Sequence, residues 1–309
     1  MIKIKRRIVQ HGNTSLTISL PIKWVKRFNI KKGDEIDVEE QNNAIVISTG
    51  NSYKIEEKNI NTKELDTQTL KWLLSALYKK GNDEVKINFN DPEHMQIILD
   101  RVNQLMGYTI IEQSQKNCLI KNISEAREGE FDSTLKRAFL LTISMTEGIY
   151  EVFKEGKDYN NLQSLINIEE TNNQLTGFCH RIINKKGYKE FEKTAFVYVV
   201  VWLLESIADE YRDICKLFLQ PDNRDIRLSN ESLELFKDVN DLVRLFYNVF
   251  YDYSYDKIVE ISLKRKDIRK RAHKLMQKKI SCESVLAKYL DSIALRVHDS
   301  IGSVLAMNS

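Results

Sequence analysis

Three acids in the stretch LLESIADEYRDI, Glu205, Asp209 and Asp213, follow one another at intervals of four residues. On a helix that spacing lines them along roughly one face, where like charges repel. Solvent, facing bases or a bound cation must offset the repulsion. Carboxylates arrayed this way can ligate a hard or borderline divalent metal. An exposed acidic stripe is the plainer reading of the same spacing. A related phrase, YLDSIALRVHDSI, begins further on. It places Asp291, Leu295 and Asp299 where the first has Glu205, Asp209 and Asp213, and repeats Ser206-Ile207-Ala208 as Ser292-Ile293-Ala294. Self-similarity of this kind predicts one helical unit used twice.

The second group of reactive residues is basic. Residues 1–32 hold nine Lys and Arg and no acid, whereas residues 33–40 hold five acids and no base. The chain as a whole carries +3, so its excess positive charge is concentrated at one end. Clustered bases on one surface are what salt-sensitive binding to nucleic-acid phosphates requires. A solvated basic face without a ligand is the alternative.

Other chemistries find little support. The chain has no GxGxxG, Walker loop, GxSxG or HExxH. The carboxylate array could in principle serve metal-assisted hydrolysis, but nothing supplies a nucleophile or a phosphate cradle, so no enzyme is expected. The four cysteines have no CxxC spacing, which predicts reduced, buried thiols in a cytoplasmic protein. The longest apolar run, AFVYVVVWLL, is about half the length a bilayer needs, and no signal peptide is expected. His180 and His298 lack zinc-type spacing and read as ordinary helix residues. Trp24 reads as core. The stretch 263–279 holds nine bases and one acid. It is a candidate partner surface, with a solvated helix face the plainer reading and Arg269 a base that could neutralise acids there.

The elements that must position these groups fall into three regions. In residues 1–50, IKIKRRIVQ and LTISL alternate apolar and polar residues as strands do, around a turn at HGNTS. Pro21 opens a short helix, IKWVKRF, with Trp24, Val25 and Phe28 on one side and Lys23, Lys26 and Arg27 on the other. AIVIS is a last strand. Residues 51–63 read as a polar linker. Residues 64–123 read as helix, strand, helix and two strands, a small α+β domain with nothing catalytic in view. From about Asp132 the spacing predicts six helices, near 132–155, 158–186, 188–219, 229–253, 255–277 and 279–307, which short connections arrange as antiparallel bundles.

Two resemblances join these regions. Residues 5–48, with the basic first strand, the GNT turn, SLPIKWV and NIKKGDEI, resemble the AbrB/SpoVT-type (MazE-like) DNA-binding domain. That resemblance implies a swapped-hairpin fold in which two chains interleave. It implies DNA contacts at Arg6, Arg7, Asn13, Thr14, Lys23, Lys26 and Arg27; many members have an arginine where this chain has Val25. The region 132–309 resembles PhoU, the phosphate-uptake regulator family, whose E(D)xxxD motif matches at Glu205 and Asp209 and, in part, at Asp291. IEETNNQLTGFCHR resembles the family's acidic segment at Glu169, Glu170 and Asn172, and Asp267 is the nearest counterpart in the second half. This implies divalent or iron-type metal ions at Glu205, Asp209, Glu169, Glu170 and Asp291, with the second site degraded.

The expected fold is therefore α+β and mostly α. It comprises an AbrB-like swapped-hairpin module at 1–50, a small α+β domain at 64–123 and a PhoU-like pair of three-helix bundles at 132–309. The expected function is that of a cytoplasmic, homodimeric transcriptional regulator of phosphate uptake. Its partners would be double-stranded DNA and a phosphate transporter ATPase subunit or a signalling kinase, without membrane insertion. The alternative is a PhoU-type adaptor that inhibits a transporter or sensor kinase through protein contacts, the head serving to dimerise.

Overall fold

The computed structural model describes residues 5–12, 14–41, 44–48, 57–124, 129–224, 226–277 and 281–309. The chain divides into two compact units, Met1–Lys54 and Ile55–Ser309.

The first unit is two hairpins and a short helix. Strand β1 (Ile8–His11) pairs antiparallel with β2 (Ser15–Ile18), with Ile8 opposite Ile18. Helix α1 (Ile22–Arg27) follows Pro21. It is amphipathic as its spacing predicts: Trp24, Val25 and Phe28 are partly covered, while Lys23, Lys26 and Arg27 are exposed. The Asp34 carboxylate accepts from the Lys31 N–H at 2.7 Å and ties the turn into β3 (Asp37–Gln41), which pairs antiparallel with β4 (Ala44–Ser48). Among the described residues of this unit none is buried.

The second unit begins with a four-stranded sheet of order β5-β6-β8-β7, made of β5 (Glu57–Asn61), β6 (Glu84–Asn88), β7 (Tyr108–Gln113) and β8 (Asn117–Asn122). Strand β5 lies within the expected linker. Ile60 is its one apolar residue, too few for a period-2 signal, and its place is set by the parallel ladder to β6. Helices α2 (Thr67–Lys80) and α3 (Glu93–Val102) bury Leu70, Leu74, Leu77 and Ile98 with Val85, Ile87 and Ile120 of the sheet. Asp66 caps α2 by accepting from the Thr69 N–H at 2.7 Å. Gly81 ends α2 at φ +104°, a conformation that a side chain disfavours.

Six helices complete the unit: α4 (Glu130–Glu155), α5 (Asn161–Lys186), α6 (Thr194–Leu219), α7 (Asn230–Tyr251), α8 (Tyr255–Met276) and α9 (Cys282–Asn308). They pack as two triads, α4–α6 and α7–α9, joined where α6 meets α9 and α4 meets α7. One continuous core runs through both triads.

The sheet layer and the first triad share one compact unit, and Arg181 of α5 fastens them. Its buried guanidinium donates to the carbonyl oxygens of Tyr78 and Asn82 at 3.0 and 2.8 Å and to Asp83 Oδ1 at 2.7 Å. It also lies 5.2 and 5.3 Å from the ring centres of Tyr78 and Tyr108. Lys185 reaches the same Asp83 oxygen at 2.5 Å.

Candidate functional site

The basic head is built on exposed backbone ends and one helix face. Arg6 and Arg7 are exposed just ahead of β1, Thr14 is exposed in the turn to β2, and Lys23, Lys26 and Arg27 project from the polar side of α1. Asn13 lies outside the described residues. Lys5, Lys31 and Lys32 are exposed as well. Among the described residues no acid lies within ion-pair distance of any of these bases. The surface therefore carries positive charge that no described residue of its own unit neutralises by direct contact, the arrangement that phosphate contacts use.

The candidate carboxylates are arranged in the opposite sense, because each of the buried or half-buried ones among them meets a base. Arg212, one turn beyond Asp209 on α6, draws three of them together. It donates to Glu169 Oε1 of α5 at 2.8 Å, bonds Asp209, and reaches Asp213 at 3.0 Å. Glu169 also accepts from Asn173 Nδ2 at 2.6 Å. Its side chain is only 3% exposed. Burial, aided by a hydrogen bond with Asp209 and opposed by Arg212, pushes its carboxyl up to about 7.

Glu205 stands apart from this cluster. Both of its oxygens accept from Lys79 of α2, at 3.0 and 2.9 Å. His180 Nδ1 is 3.8 Å from Glu205 Oε2. His180 is fully buried, its Nε2 3.3 Å from the Tyr198 carbonyl oxygen, and burial followed by the nearby Lys79 charge lowers it to about 4. Glu170 is exposed. In the second triad Asp291 accepts from the buried Arg265 of α8 at 2.7 Å. Arg265, rather than Arg269, is thus the base that neutralises this acid. Asp267 pairs with Arg271 at 2.8 Å.

The expected metal set is therefore divided. Glu169 and Asp209 come together around Arg212, Glu205 is held by Lys79, Asp291 by Arg265, and Glu170 faces solvent. Among the described residues no three His, Cys, Asp or Glu side chains form a group able to hold a metal ion. With a guanidinium or ammonium already on each buried carboxylate, the side chains as arranged do not fit a resident metal. The spacing in the sequence located the acids, and Arg212 lies beside Asp209 and Asp213 on α6 itself; the bases of Glu205 and Asp291 come from α2 and α8, which no local pattern ties to α6 or α9.

Comparison with known proteins identifies the head alone. Residues 9–55 match a family model described as antidote-toxin recognition MazE, bacterial antitoxin. Over those residues the head is similar to an antitoxin-type module, consistent with a DNA-binding head. No curated protein and no solved structure matches the chain. No described helix is long and apolar enough to cross a membrane.

Proposed function

We propose that the protein is a dimeric DNA-binding transcriptional regulator, whose head binds duplex DNA and whose helical triads relay a signal of phosphate status. The observation that carries this reading is the surface of the first unit: exposed, acid-free bases on a module that buries no described side chain of its own. The match to the MazE family over residues 9–55 supports it. So does the resemblance of YLDSIALRVHDSI and LLESIADEYRDI to the repeated motif of PhoU. The reading has no catalytic step and puts the protein in the cytoplasm with its operator.

Burial supports the dimer. Ile8, Leu16, Ile18, Val38 and Ile45 are all more than half exposed in the single chain. A domain of this size is marginal on its own, the more so with its apolar faces in water. A second copy interleaving its hairpins would cover them and double the number of bases presented to DNA.

The test is fluorescence anisotropy of the full chain with a duplex from its own upstream region and with a scrambled duplex, across a salt series. Affinity should fall steeply with salt, favour the native duplex and collapse in an Arg6→Ala/Arg7→Ala/Lys26→Ala variant. Absence of binding to either duplex at low salt would remove the DNA-binding role. A second reading, an adaptor acting through protein contacts, draws on one observation. Tyr255, Val259 and Leu263 form an exposed apolar line along α8, which fits a protein partner. Stable complex formation with a transporter ATPase subunit, without DNA affinity, would favour it.

A further inference from the structure

Where α2 and the end of α3 meet α5 and α6 there is a polar cleft of about 140 Å³. At roughly 30 Å³ per water molecule it has room for one small solute. Lys79, Arg101, Gln104, Asn173, Gln174 and Glu205 are among its walls.

The cations of this cleft differ in their partners. Lys79 is neutralised by Glu205. Arg101 has neutral partners: its Nε donates to Ser75 Oγ at 2.7 Å, and its Nη1 donates to Gln104 Oε1 at 2.6 Å. Ser75 is fixed in turn by donating to the Lys71 carbonyl oxygen at 2.7 Å. These two bonds hold the guanidinium in place without an acid in ion-pair distance among the described residues. Burial lowers the Arg101 pKa, with Glu205 acting on it in the other direction, as expected of a cation short of counter-charge. Gln104 spends its carbonyl on Arg101, which leaves its amide hydrogens to donate.

The cleft also holds an acceptor without a donor. Asn173, one of the wall residues, gives its Nδ2 to Glu169 at 2.6 Å, and its buried Oδ1 has no hydrogen-bond partner among the described residues. Such an atom normally finds a donor. Exposed Glu170, also in the wall, adds a second acceptor. A solute that fits both sets brings an oxyanion for Arg101 and Gln104 and an O–H or N–H for Asn173 and Glu170.

We propose that this cleft binds a small oxyanion that itself carries a hydrogen-bond donor, anchored by Arg101. Hydrogen phosphate and an amino-acid zwitterion share that chemistry. Sulfate has the oxyanion and lacks the donor. The proposal stands on the second unit and does not depend on DNA binding by the head.

The experiment is isothermal titration of the full chain with inorganic phosphate, sulfate and glycine, at constant ionic strength set with sodium chloride. Either phosphate or glycine should bind saturably, about tenfold or more tightly than sulfate, since one unmet buried hydrogen bond is worth about a factor of ten. Phosphate binding alone assigns the free ion as the ligand class, and glycine binding alone assigns the zwitterion. Arg101→Gln should weaken binding about tenfold or more, and circular dichroism should show the same helix content. Gln104→Ala, at the exposed edge, gives the same test if Arg101→Gln does not fold. Three results would overturn the proposal. These are no saturable binding of phosphate or glycine, equal affinity for sulfate, or affinity unchanged in the cleft variants but lost in the Arg6→Ala/Arg7→Ala/Lys26→Ala head variant.

Discussion

At the scale of single residues, the buried charges of the helical region are each matched by a named opposite charge, and Glu169 is the one least at ease. Its carboxyl is covered, shares Arg212 with Asp209, and is raised from 4.5 to about 7. The folded chain thus keeps a proton that the unfolded chain releases. The stabilisation this gives is full below about pH 4.5 and is lost as pH rises through about 7. Urea unfolding of the parent chain and of Glu169→Gln should therefore diverge over that window. The variant, whose amide cannot ionise, should lose less stability between its acidic and neutral limits. An equal slope in both chains would show that Glu169 titrates normally.

At the scale of elements, α7 begins with help from a helix in the same triad. Ser229 caps it by accepting from the Ser232 N–H. Glu283, in the first turn of α9, accepts from the Ser229 N–H at 2.9 Å and from the hydroxyls of Ser229 and Ser232, each at 2.6 Å. A carboxylate at a helix N-terminus also meets the positive end of the helix dipole. Removing it in Glu283→Ala takes the acceptor from the Ser229 N–H and the Ser232 hydroxyl, while the Ser229 hydroxyl keeps Ser232 Oγ at 3.1 Å, and should cost about 2 kcal/mol in chemical denaturation. The exposed pair of Glu151 and Lys154 provides the comparison, because Glu151→Ala should change stability by less than about 0.5 kcal/mol. A similar small effect for Glu283→Ala would mean that water replaces it freely.

The elements also show how far local pattern reaches. The six long helices lie within a few residues of where apolar spacing put them, because helix periodicity, caps and Gly156 are local signals. The boundary of α6 moved most, from 188 to Thr194, since residues 191–193 form a single turn of 3-10 helix instead. Strand β5 was illegible for the opposite reason, as its polar sequence is made a strand by β6.

At the scale of the whole molecule, the exposed apolar residues of the first unit are the ones a second copy would cover in the proposed dimer. Ile8 and Ile18 face each other across the first hairpin and are 67% and 55% exposed. Charging that pair in Ile8→Lys/Ile18→Lys adds bases, so simple electrostatics would strengthen DNA binding. If a second copy covers these residues, the variant should instead run as a monomer in light scattering and lose affinity for DNA. A variant that remains dimeric would place the dimer contact elsewhere in the chain. The second unit, by contrast, has a core of its own through both triads, so its helix content should persist in the same variant.

The sequence by itself determined the basic, acid-free start of the chain, the amphipathic α1, the six helices and the positions of the acidic repeat. All of these are properties of charge order and period, readable within a few turns of chain. Asp209 and Asp213 find Arg212 within the same helix, but only the tertiary structure decided what Glu205 and Asp291 meet. The ammonium on Glu205 belongs to Lys79, 126 residues away in sequence, and the guanidinium on Asp291 to Arg265 on the neighbouring helix. The same holds for Arg181 and for the cleft around Arg101, which exist because α2 docks on α5. The side chains that meet there come from separate stretches of chain, and packing alone brings them together. Spacing along one helix names the acids that need a counter-charge. It cannot say whether a metal, a solvent shell or a base on another helix supplies it.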